Sequence, residues 1–107
     1  MTAFGRKDSV LDMEAKFERA LETFQNALQS LWDDGHTIDV MVGRKYVRVI
    51  VRNPAGESRS VHSFVEISTG DVYRAASWKA PARNVPRGNI YQDDPMRGCN
   101  KYGANYL

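Results

Sequence analysis

A change of hydrophobic period near residue 36 is the feature that most limits how this chain can fold. Before it, apolar residues recur every three or four positions: Val10, Met13, Phe17, Ala20, Leu21, Phe24, Ala27, Leu28 and Leu31. That spacing draws one apolar stripe along a helix. From Thr37 the spacing drops to two, the mark of strands with one face buried. A helix followed by strands that each need a covered face predicts an α+β fold, with one long N-terminal helix packed on a four-stranded antiparallel meander.

The helix is expected over about residues 9–32. Ser9 followed by Asp12 makes a weak capping-box start, Asp8, Asp12 and Glu14 suit the positive helix end, and Gly35 is placed to stop it. Its stripe serves as core, with a homodimer through the N-terminal helix as the main competing use. The sheet is expected over about 37–76. Thr37–Val42 and Lys45–Arg52 alternate, and Gly43-Arg44 fits a two-residue turn that sets Val42 opposite Lys45, Val40 opposite Val47 and Asp39 opposite Arg48. Ser60–Ile67 reads as a third strand and Val72 to about Ala76 as a fourth, whose register is open by one residue. Residues 77–107 have no sustained period and form a long irregular tail that either wraps over the sheet or waits for a partner.

At 107 residues the chain suffices for a single domain spanning 1–107. Its 42% hydrophobic and 26% charged residues, with a mean hydropathy of −0.52, argue against a disordered chain, and no apolar run approaches the roughly 20 residues of a membrane span. MTAFGRKDSV lacks the apolar segment of a secretory signal, and Cys99 has no partner for an internal disulfide, so a reducing cytoplasm is expected.

Charge is unevenly placed. Residues 1–40 hold four cations against eight carboxylates, whereas residues 41–91 hold nine against three. That polarity suits an anion-binding face. Its densest stretch is RAASWKAPARNVPRGNI, residues 74–90, which sets Arg74, Lys79, Arg83 and Arg87 around Trp78 and breaks regular structure with Pro81, Pro86 and Gly88. Guanidinium forks, an ammonium and an indole suit phosphates and a planar ring. Gly88-Asn89 is a candidate tight turn with free N–H groups for an anion. The sheet face bearing Tyr46, Arg48, Ile50, Arg52, His62 and Phe64 is a second candidate surface, since aromatics interleaved with arginines can stack bases and hold phosphates. The candidate nucleic-acid or anion-binding residues are therefore Arg48, Arg74, Trp78, Lys79, Arg83, Arg87, Tyr46 and Phe64. The bland alternatives are that Trp78 plugs the core end, the loop cations only solvate an irregular surface, and the tail packs on the second face with Arg48 neutralised by Asp39.

Catalysis finds little support. No GxxxxGK[ST] or GxGxxG run occurs, and neither His36 nor His62 has Cys, Asp or Glu at metal-ligand spacing. No metal, cofactor or enzymatic activity is expected, and Cys99 as a nucleophile is a minor option.

The segment VHSFVEISTGDVYRAASWKAPARNVPRGNIY and the ending YGANYL resemble a family of short proteins encoded by bacteriophages and environmental phage genomes. The similarity runs through Val61-His62 with Phe64, Thr69-Gly70-Asp71, Trp78-Lys79-Ala80-Pro81, Arg87-Gly88-Asn89 and Tyr102-Gly103-Ala104 with Tyr106-Leu107. It implies a viral gene expressed in the cytoplasm of a bacterial host, and it implies no mechanism. It turns the expectation towards a non-catalytic accessory protein that binds nucleic acid, single-stranded by preference. The alternatives are an anti-defence protein that blocks a host protein or sequesters a phosphorylated nucleotide, and a virion component.

Overall fold

Helix α1 runs Thr2–Gln29 and buries Leu21, Phe24 and Leu28, the centre of the predicted stripe, with Phe17 and Ala20 half-buried beside them. The computed structural model describes residues 2–56, 58–83 and 85–104, with helix side chains from Glu14 onward. The helix begins before Ser9, so the expected capping box does not start it; the side chains of Ser9 and Asp12, like Tyr106 and Leu107, lie outside the described residues. Its end is tightened by Leu31 and Trp32 N–H groups donating to Leu28 and Gln29 carbonyls, which places Trp32 in a closing turn. The Gln29 amide then pins the reversal into the sheet: Nε2 donates to the His36 carbonyl at 2.7 Å, and Oε1 accepts from Ile38 N–H at 3.1 Å. Gly35, at φ 95°, supplies the left-handed residue that this reversal uses.

Five antiparallel strands follow in sheet order: β1 Thr37–Val42, β2 Tyr46–Arg52, β3 Arg59–Glu66, β4 Asp71–Tyr73 and β5 Gly88–Asn89. The α+β arrangement is the expected one, with a fifth strand drawn from the tail. The first hairpin pairs Val42 with Val47 and Val40 with Val49, and Gly43 N–H donates to the Tyr46 carbonyl, so its turn is Arg44-Lys45 instead of Gly43-Arg44. This register is two residues from the expected one. An even shift keeps every side chain on its predicted face, because the strand period is two. Val47, Val49, Val65 and Val72 face the helix and form the core with it.

β3 contains the main departure. Val49 lies opposite Ser63 but Ile50 lies opposite Val61, so His62 is the extra residue of a β-bulge. The bulge moves His62 off the outer sheet face, where plain alternation puts it, to the helix side, edge-on to Phe24 at 6.0 Å. Before the bulge the parity of β3 is inverted, which sets Arg59 opposite Arg52 and Val61 opposite Ile50 on the outer face.

The register of β4 is settled by Val65↔Val72 and Phe64↔Tyr73: Val72 enters the core and Tyr73 joins the outer face. β4 ends at Tyr73, short of Ala76. Beyond it the chain forms a small hairpin, with Ala75 bridged to Pro81, Ala82 N–H on the Arg74 carbonyl, and Ala76 and Ser77 N–H on the Ala80 carbonyl. Trp78 and Lys79 ride at its tip. The chain returns as β5 against β4, then packs Ile90, Met96, Cys99 and Ala104 into or against the helix-side core.

Candidate nucleic-acid interface

The outer face of the sheet collects the site. Phe64 and Tyr73 are paired across β3 and β4, and the Tyr46 ring meets both edge-on, at 6.3 Å from Phe64 and 6.1 Å from Tyr73. Ile50, Phe64 and Tyr73 are buried although they face away from the helix. Edge-to-face packing satisfies the ring quadrupoles and makes the trio a rigid apolar floor. At its rim, Tyr73 Oη donates to Glu66 Oε1 at 3.4 Å, and burial, reinforced by the Glu66 and Asp71 charges, pushes the tyrosine hydroxyl up from its ordinary pKa.

Cations stand over this floor. The Arg48 guanidinium lies 5.7 Å from the Phe64 ring and 5.0 Å from the Trp78 ring; Arg83 lies 5.8 Å from Tyr46, and Lys45 5.7 Å from the same ring. Arg59, which the sequence reading missed, lies 4.6 Å from Trp78. The signal that would have found it is the bulge, and no residue type in VHSF announces one. Among the described residues the carboxylate ion pairs are Arg52 with Asp39 and His36 with Asp34. Asp39 is thus taken by Arg52, not by Arg48 as expected, because the observed register sets Asp39 beside Ile50. Among the described residues Arg48 keeps only a sulfur acceptor, Met41 Sδ at 3.7 Å, and its buried Nε has no hydrogen-bond partner there, nor have the Tyr46 hydroxyl and Arg87 Nε.

A cavity of about 330 Å³ opens here between Gly43, Lys45, Tyr46, Arg48, Phe64 and Lys79. The structure therefore brings together Tyr46, Arg48, Phe64, Trp78, Lys79 and Arg83. Trp78 is half-buried above the outer face and does not plug the helix-side core. Arg74 is exposed just past β4, and Arg87, half-buried before β5, has a buried Nε without a hydrogen-bond partner among the described residues; neither is among the cations recorded over the rings of the cluster. The Gly88-Asn89 anion turn is also corrected. Gly88 and Asn89 pair with Val72 and Asp71, and the Arg87 and Ile90 N–H groups donate to the Val72 and Gly70 carbonyls, so this backbone is spent on the sheet.

A larger cavity, about 600 Å³, lies on the helix side between Phe17, Leu21, Val42, Ile67 and Tyr91. Its lining is mostly apolar and includes Glu14 and Glu18 beside a single cation, Lys16, 5.1 Å from the Tyr91 ring, so it has two carboxylates where the outer-face cavity has several cations. Cys99 is half-buried, and burial, aided by the Asp94 charge, pushes its thiol up to about 12, which favours the protonated form at neutral pH. No three His, Cys, Asp or Glu side chains converge on a metal-sized point among the described residues, and none of the described helices is long and apolar enough to cross a membrane.

A family model matches residues 8–103, which takes in every residue of the outer-face site. The chain belongs to DUF7717, a family of unknown function. No curated protein and no solved structure matches it. For this DUF7717 member the site rests on its own geometry: an aromatic floor, a hairpin folded over it, and cations without carboxylate partners.

Proposed function

We propose that this DUF7717 member is a non-catalytic bacteriophage accessory protein that works in the cytoplasm of the bacterial host and binds single-stranded nucleic acid across the outer sheet face. One observation carries the reading: Lys45, Arg48, Arg59, Lys79 and Arg83 gather around Tyr46, Phe64 and Trp78 with no carboxylate ion pair among the described residues. Unpaired cations beside rings are what a phosphate backbone with splayed bases requires, while a duplex hides its ring faces in the stack. The phage origin rests on the resemblance of the VHSF to RGNIY segment and the YGANYL ending.

Anisotropy titrations of a labelled oligothymidylate at several salt concentrations test this. Lys79→Ala and Arg83→Ala are each expected to weaken binding and to flatten the log–log salt slope by about 0.7. If both variants keep the wild-type affinity and slope, the reading is wrong. A second reading, sequestration of one phosphorylated nucleotide, is favoured by the size of the 330 Å³ cavity. Thermal shifts separate the two, because a ligand at 100 times its dissociation constant adds about 2.7 kcal/mol of stability.

A further inference from the structure

Trp78 is the residue that a single-strand reading would most readily give to a base, yet its ring already has two cationic neighbours. Arg48 belongs to the rung of Phe64, and Arg59 to the rung of Arg52, four residues along β2 and roughly 13 Å away. Both side chains converge on the one indole, with guanidinium carbons 5.0 and 4.6 Å from its centroid, so the two charges end within about 10 Å of each other. Like charges within that distance repel weakly across solvent, and neither has a carboxylate within 4.0 Å among the described residues. Arg48 Nε is buried and lacks an acceptor there as well. An anion placed between the two forks relieves the repulsion, and a phosphate matches the paired N–H groups of a guanidinium.

We infer that Arg48 and Arg59 form a phosphate clamp whose spacing is set by the Trp78 indole. Trp78 is then a positioning residue for two cations, and bases are left to the cavity between Tyr46, Phe64 and Lys79. The inference deepens the proposed function and rests on it for the polymer, though not for the phosphate. Its β3 contributor exists on this face only because the bulge at His62 inverts the strand's parity.

The test compares a short oligothymidylate with the abasic deoxyribose-phosphate polymer of the same length. Arg59 is exposed, so Arg59→Ala should fold normally; it is expected to bind both polymers about tenfold more weakly. Trp78→Leu should weaken both polymers alike, and the double variant should lose less than the product of the two single losses. Trp78→Phe, which keeps a ring beside the guanidiniums, should retain most of the binding and guards against a hairpin disturbed by Trp78→Leu. The clamp is overturned if Trp78→Leu affects only the base-bearing polymer, or if the two losses multiply in full. Should the wild-type protein bind neither polymer, the nucleic-acid reading fails and inorganic pyrophosphate decides the clamp. Shifts of the Arg48 and Arg59 Nε–H resonances on adding pyrophosphate uphold it, and unmoved resonances refute it.

Discussion

His62 shows how one side chain can tie distant parts of a small protein together. Its Nε2 lies 2.8 Å from the Asn100 carbonyl, its Nδ1 2.8 Å from Ser63 Oγ, and its ring edge meets Phe24, so strand, tail and helix join at one imidazole. A neutral ring with Nε2–H donating to the carbonyl and Nδ1 accepting the serine hydroxyl satisfies all three atoms. Burial lowers its pKa from the ordinary 6.5, against a smaller raising effect of the Asn100 carbonyl. A lowered folded-state value means that the unfolded chain takes up the proton more readily. The stability His62 contributes is therefore complete above about pH 6.5 and is lost as pH falls through the folded-state value. Melting temperatures between pH 8 and 5 should fall more steeply for the wild-type protein than for His62→Gln; parallel curves would show that His62 does not carry this dependence.

At the level of elements, periodicity made the helix and the first three strands readable, because packing on one face writes itself into the sequence at 3.6 or 2 residues. The bulge was unreadable for the same reason: it is a single break in the period, and the residues around it remain good strand formers. The tail was unreadable because its order comes from side chains that cap turns. Asn89 Oδ1 accepts from Tyr91 N–H, Asp94 Oδ1 from Met96 N–H, and Asn100 Oδ1 from both Tyr102 and Gly103 N–H. Such local bonds leave no pattern of hydrophobicity. The turns bring the chain back against itself where Gly98, at φ 88°, lies under Arg87: a Cβ there would stand 1.8 Å from the Arg87 carbonyl oxygen. Both the positive φ and the missing space forbid a side chain. Gly98→Ala should cost at least about 2 kcal/mol, read as a fall in denaturation midpoint at unchanged slope. A midpoint equal to wild type would mean that residues 87–88 and 97–98 do not cross so closely in solution.

Across the whole molecule the two sides of the sheet have separate tasks. The helix and residues 90–104 supply apolar cover on one side, and the 74–82 hairpin caps the other while leaving cations unpaired. The candidate site was half legible. Trp78, Lys79 and Arg83 stood out as loop cations around an indole, and Tyr46, Arg48 and Phe64 as the alternating face of strands. Their meeting depended on the hairpin folding over the sheet, and Arg59 on the bulge, which are tertiary facts without a local signature. Stability and binding should accordingly be separable. Arg83→Ala, at an exposed position, is expected to leave the melting temperature within experimental error while reducing oligonucleotide affinity, and a matched loss of both would mean that the outer face is structural.

The partial burial of Cys99 gives the chain a built-in clock. With its sulfur half-buried against the core and its thiol pushed up to about 12 by burial and the Asp94 charge, the folded protein should react slowly with iodoacetamide, and alkylation should speed up whenever residues 96–104 come away from the helix. If an oligonucleotide added to the protein slows that clock, the two sides of the sheet are energetically coupled; if the ticking rate is unchanged, the tail opens and closes independently of the outer face.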